Sequence, residues 1–233
     1  MARQTARPDI DTALALLRKK SRLKVKDDMA RYGIPSDHAI GVSIRDIQAI
    51  AKQLGRDHDL AAALWKTGIY EARLLTSYVD EPARVTVAQM DRWCRDFDNW
   101  GVVDTVCFSL FDRVPHAWAR AAAWSRRRPE FECRAGFVLM ACLALHDKTA
   151  PDARFTPFLK LIEKGATDER NFVKKGVSWA LRSIGRRNPA LRTASVAVAT
   201  RLAASTSDAA RWVGKDTLRD LRAATKPARS VRT

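Results

Sequence analysis

Apolar side chains recur along this chain at three- and four-residue spacing, in segments of about 10 to 18 residues separated by short breakers. Clear instances are IRDIQAIAKQL from Ile44, VAQMDRWCRDF from Val87, RAGFVLMACLAL from Arg134 and KKGVSWALRSIG from Lys174. Each predicts a helix with an apolar face turned towards a core. Ala, Leu and Arg supply good helix formers throughout. With 10 Gly, 9 Pro and no alternating run of Val, Ile or Thr, the chain offers little from which to build a sheet. The pattern predicts an all-α protein.

The helical segments pair off, and the second member of each pair recurs: Trp100 to Phe111, Arg134 to Leu145, Lys174 to Gly185, Arg211 to Leu221. The spacing is about 35 to 40 residues, the period of helical-pair repeats such as HEAT. Stacked pairs make an α-α superhelix whose inner helices line a concave surface. An irregular helical bundle is the alternative architecture. The repeats predict one helical-repeat domain over residues 1–223, followed by a basic flexible tail, ATKPARSVRT, over 224–233.

Composition adds a partner to this picture. Hydrophobic residues make up 46% and charged residues 29%, the balance of a folded protein. Lys and Arg number 42 against 26 Asp and Glu, a formal net charge of +16. Such an excess repels itself in a compact fold but attracts a polyanion and releases its condensed counterions, which points to nucleic acid. A merely soluble basic surface is the plainer reading. The cysteines, Cys94, Cys107, Cys133 and Cys142, form no CxxC pair and lie among apolar helical residues, so they are expected to be reduced core residues without zinc. The amino terminus has no apolar leader segment, and no run approaches the roughly 18 apolar residues of a membrane span. A monomer in the bacterial cytosol, associated with the nucleoid and with no membrane contact, is expected.

Candidate chemistry is sparse. The histidines are scattered singly, and neither GxxxxGK[ST] nor GxGxxG occurs, so no metal, cofactor or phosphate-loop chemistry is expected. In FDNWGVVDTVCFSLF, Trp100 and Asp104 fall four apart and so project from one helical face. A core tryptophan with an aspartate that caps or forms a salt bridge would show the same spacing. In KKGVSWALRSIGRRNP, Lys175, Trp179 and Arg182, or Trp179 and Arg186 by another turn, can lie on neighbouring helical positions. An aromatic ring among cations suits a sugar-phosphate backbone, although a buried Trp with snorkelling arginines would read alike. Arg134 opens an otherwise apolar helix and is expected to face away from the core, as a surface contact or a phosphate ligand.

Taken together, these segments resemble the DNA alkylation repair family, the HEAT-like-repeat alkylpurine DNA glycosylases, over about Met29 to Leu221. The match is most specific in the order and spacing of Trp100, Asp104, Arg134 and Trp179 and in the helix end WALRSIGRRNP. The amino-terminal segment MARYGIPSDHAIGVSIRDIQAIAKQL is similar only in its glycine turn leading into an Arg-containing helix. The resemblance implies excision of cationic alkylated purines, 3-methyladenine and 7-methylguanine, from double-stranded DNA without a cofactor. Asp104 would place negative charge beside C1′ and orient the attacking water, Trp100 and Trp179 would hold the deoxyribose, and Arg134 would hold the backbone phosphate. Lys174, Lys175, Arg182, Arg186 and Arg187 are candidates for further DNA contacts. The resemblance also implies that the damaged base is not flipped into a protein pocket. The family includes members that bind DNA without cleaving a bond, so a non-catalytic binder of damaged or branched DNA is the alternative. A helical scaffold for an acidic protein is a third reading.

Overall fold

The computed structural model describes residues 9–223; the tail predicted over 224–233 lies outside them. Among the described residues all regular structure is helical, as the apolar spacing predicts. They fall into two compact units, one ending at Pro115 and the other beginning at His116.

The first unit comprises α1 (Ile10–Lys19), α2 (Leu23–Met29), α3 (Ile44–Leu54), α4 (His58–Lys66), α5 (Tyr70–Val79), α6 (Val87–Arg95) and α7 (Trp100–Ser109). Local chemistry sets several starts. Ser43, Asp57, Thr86 and Asn99 each precede a helix and accept a hydrogen bond from a backbone N–H of its first turn, which satisfies a donor that has no partner within the helix. Helix α5 packs against α3, α4 and α7. The core is aromatic: Trp65 and Trp93 stack with centroids 4.2 Å apart, and Phe97 meets Trp65 edge-on.

The second unit comprises α8 (Ala117–Trp124), α9 (Glu130–His146), α10 (Thr156–Gly165), α11 (Asn171–Gly185), α12 (Pro189–Ala203) and α13 (Asp208–Ala223). Helix α9 is buried continuously from Cys133 to Ala144, because its sequence is apolar on every side. It lies between α8 and α11, and α11 in turn packs on α13. At Gly136 a Cβ would fall 2.1 Å from the Ser125 backbone nitrogen, so only glycine lets the end of α8 approach α9 so closely. The order α9, α11, α13 is the recurrence read from Arg134, Lys174 and Arg211. All the cysteines are buried free thiols, as expected of core residues, and burial pushes the Cys133 thiol up to about 11.

Candidate nucleic-acid interface

Each unit carries candidate residues of its own. In the first, Asn99 caps α7, and Trp100 and Asp104 follow on the same side one turn apart, both half-buried. The Trp100 indole N–H donates to the Tyr32 carbonyl at 2.7 Å, which fixes the ring at the mouth of a cavity of about 540 Å³. Both residues line this cavity, together with Met29, Tyr32, Tyr70 and Leu74. The residue that caps α7 is Asn99, not Asp104.

Tyr70, the first residue of α5, reaches towards the same turn of α7. Burial chiefly, then the negative charges of Glu71, Asp104 and Asp98, push its phenol well above the usual tyrosine range, so it stays a neutral hydroxyl. Glu71 beside it is fully buried and accepts backbone N–H bonds from Ile40, Gly41 and Val42 at 2.8, 2.6 and 3.1 Å. These bonds hold the segment that supplies Val42, Ser43 and Ile44 to the cavity wall. The segment from Met29 onward, whose spacing matched the family least, thus forms one side of the space beside Trp100 and Asp104. Sequence reading gave Tyr32, Tyr70 and Glu71 no part in it, because the helix pair that unites them with α7 is a tertiary contact.

In the second unit, Arg134, Lys175, Trp179, Arg182, Arg186 and Trp212 line one cleft of about 450 Å³. The spacing on α11 does what the sequence predicts for these residues. Arg134 differs from expectation: at 6% exposure it is buried rather than turned away from the core, and its guanidinium donates to the Phe172 carbonyl at 2.6 Å. Gly176 packs beside its aliphatic stem, its ideal Cβ position lying 3.5 Å from Arg134 Cγ, an ordinary van der Waals distance. The side chain thus crosses beneath α11 to the floor of the cleft.

Helix α13 modulates the cations. Arg186 meets Asp220 at 2.5 Å, while Arg182 lies 3.7 Å from Asp216 and 3.6 Å from Asp220. Ser178 orients Asp216 by donating to it at 2.7 Å. Lys175 is exposed, and Lys174 lies over the Trp212 ring, 5.4 Å from its centroid. Trp212, in the first turns of α13, had no part in the sequence-based expectation.

Arg187 belongs elsewhere. It donates to the carbonyls of Ala144, Asp147 and Ala150 at 2.9, 2.8 and 3.1 Å and covers the Phe155 ring, so it ties the end of α9 to the loop that follows. Its place in the sequence, directly after Arg186, concealed this. His58, one of the scattered histidines, is likewise structural: its Nδ1 lies 2.6 Å from the buried Asp80 carboxyl, which also accepts from Gln89 at 2.8 Å.

Helical pairs stacked in this order define a HEAT-like repeat protein. The sequence pattern of the DNA alkylation repair enzyme family matches residues 13–219, and the chain belongs to that family. A solved structure described as one of "a new family of proteins related to the HEAT-like repeat DNA glycosylases with affinity for branched DNA structures" has the same fold. It is 18% identical, with a TM-score of 0.77 over 91% of this chain and 95% of that one. No curated protein matches the chain at a significant level. No helix among the described residues is long and apolar enough to cross a membrane.

Proposed function

We propose that the chain is a DNA glycosylase that removes cationic alkylated purines, such as 3-methyladenine and 7-methylguanine, from double-stranded DNA by hydrolysing the N-glycosidic bond. The observation that carries this reading is the Asp104 carboxyl, half-buried beside Trp100 and facing a cavity in a chain of net charge +16. A protein that only binds phosphates gains nothing from a carboxylate held there. An N3- or N7-alkylated purine already carries positive charge, so its bond to C1′ is weak and the base departs with the bonding electrons. Asp104 stabilises the oxocarbenium-like sugar and orients the water that adds to C1′. Trp100 contributes an electron-rich face to the same cation.

The second unit binds the backbone in this reading. Arg134, Lys175, Arg182 and Arg186 contact phosphates, Trp179 packs on deoxyribose, and Lys174 acts from beside Trp212. The carboxylates of Asp216 and Asp220 pair with Arg182 and Arg186, and in this reading a phosphate competes with them for these partly exposed guanidiniums.

A second reading is favoured by the fold match to a protein with affinity for branched DNA: binding of damaged or branched DNA without bond cleavage. Base release from duplex DNA containing 7-methylguanine separates the two. Wild type, Asp104→Asn and Trp179→Ala are compared at equal DNA occupancy. Release by wild type with a loss of at least about 100-fold in Asp104→Asn supports the glycosylase. Tight binding with no release of 7-methylguanine or 3-methyladenine defeats it in favour of the binder.

A further inference from the structure

The second unit has another basic pocket, apart from the cleft on α11. A space of about 420 Å³ opens between the turn that joins α8 to α9, the end of α10 and the loop that follows it. Arg126, Arg127, Arg128, Lys164 and Arg170 line it, with Asp168 as the one carboxylate. Two of these cations are already committed. Arg127 donates to Glu132 at 2.8 Å, and Arg170 donates to both oxygens of Asp168 and, at 2.5 Å, to the Arg128 carbonyl. These bonds fix the backbone of the turn. They leave Arg126, Arg128 and Lys164 exposed, with no carboxylate paired to them among the described residues. The Cys133 thiol in the wall, raised by burial, stays neutral and takes up no cation. Unpaired like charges gathered at one fixed turn repel one another, and an anion relieves that repulsion. The planar fork of arginine matches the oxygens of a phosphate. The pocket shares no residue with the cleft on α11, yet Cys133 lines one and Arg134, the next residue, lines the other. A strand held in the cleft meets the pocket when it continues past the start of α9.

We propose that this pocket is a phosphate site for the DNA backbone outside the cleft, filled where the nucleic acid extends past α9. Arg126 and Arg128 bind the phosphate, and Lys164 approaches it from α10. Arg127 and Arg170 shape the turn and do not touch the ligand. The site lengthens the footprint on DNA without reading sequence. It rests on DNA binding, which both readings of the function share, and not on bond cleavage.

The test compares two double variants of the full chain that lose the same charge. Arg126→Gln/Arg128→Gln empties the pocket of its arginines, and Lys148→Gln/Lys160→Gln removes two exposed cations of the same unit that line neither the pocket nor the cleft. Both are expected to melt with the wild type, because the altered side chains are exposed. Fluorescence anisotropy follows binding to duplexes of about 10 and about 25 base pairs, the shorter being one helical turn, at several salt concentrations. On the longer duplex the arginine variant is expected to lose at least about ten-fold in affinity and to reduce the slope of log K against log salt by about two. The lysine variant is expected to change affinity by less than about three-fold, since salt screens distant charges. The loss in the arginine variant should be smaller on the shorter duplex. Equal losses in the two variants, equal losses on the two duplexes, or an unchanged affinity and slope in the arginine variant overturn the proposal. Calorimetric titration with pyrophosphate covers the other source of phosphate. Uptake that the arginine substitutions abolish, with DNA affinity unchanged, assigns the pocket to a free phosphorylated small molecule and likewise overturns it. Should the wild type bind neither duplex, the DNA readings fall with this site, whereas binding weakened by Lys175→Gln but not by the arginine substitutions defeats this site alone.

Discussion

The hydroxyl of Tyr70 occupies the space where residue 101 would carry a Cβ: an ideal Cβ on Gly101 falls 2.6 Å from Tyr70 Oη. Glycine at 101 is therefore what allows α5 to place a phenol against the first turn of α7, between Trp100 and Asp104 in sequence. Gly101→Ala is expected to destabilise the protein by about 1 to 3 kcal/mol through overpacking, and Tyr70→Phe, which removes the offending oxygen, should recover part of that loss. Urea denaturation of the two single variants and the double variant measures the coupling. Strict additivity would show that the two residues do not meet.

The cations of the second unit should separate into two kinds. Lys175→Gln and Arg182→Gln are expected to weaken DNA binding and each to reduce the slope of log K against log salt by about one. Arg187→Gln should leave that slope unchanged and instead cost about 2 to 4 kcal/mol of stability, because it strands the carbonyls of Ala144, Asp147 and Ala150. Binding isotherms at several salt concentrations, with thermal melts beside them, check both halves.

Glu71→Gln is expected to cost about 2 to 3 kcal/mol, since an amide offers one acceptor oxygen and turns an NH₂ towards backbone donors that now face a carboxylate. The change should appear as a lower urea midpoint.

The ion pair between Asp168 and Arg170 gives a pH signature. The Arg170 guanidinium donates to both carboxylate oxygens at 3.0 and 2.6 Å, and chiefly through these bonds holds Asp168 below the usual carboxylate range. A carboxyl depressed in the folded state stabilises the fold fully above its unfolded value, near 3.9, and loses that contribution as pH falls through the lower folded value. The pair is partly exposed, so Asp168→Asn is expected to cost only about 0.5 to 1 kcal/mol near neutrality. Melting temperatures of wild type and variant should differ by roughly 1 to 4 °C at neutral pH and converge in acid.

What the sequence disclosed followed from periodicity. The segments from Ile44, Arg134 and Lys174 lie wholly in helices and that from Val87 in all but its last two residues, and the Arg134, Lys174 and Arg211 segments mark successive packed helices, because local apolar spacing and tertiary stacking agree there. Within one helix the spacing also grouped residues correctly, as with Trp100 and Asp104, or Lys175, Trp179, Arg182 and Arg186. It failed wherever the partner lies on another element. Nothing near Arg187 in sequence announces the carbonyls it serves, and Tyr70 lies 30 residues from the Trp100 it accompanies. Arg134 misled for a different reason: a charge at the start of an apolar helix reads as exposed, yet a long side chain can bury its stem and still carry its head to a cleft.

The continuous burial of α9 has a kinetic meaning. Its amide protons from Cys133 to Ala144 have no route to solvent through fraying or local opening, so they should exchange only when the whole second unit unfolds. Arg134 lies within that stretch. The guanidinium that lines the cleft is therefore carried by the backbone expected to exchange most slowly in the unit.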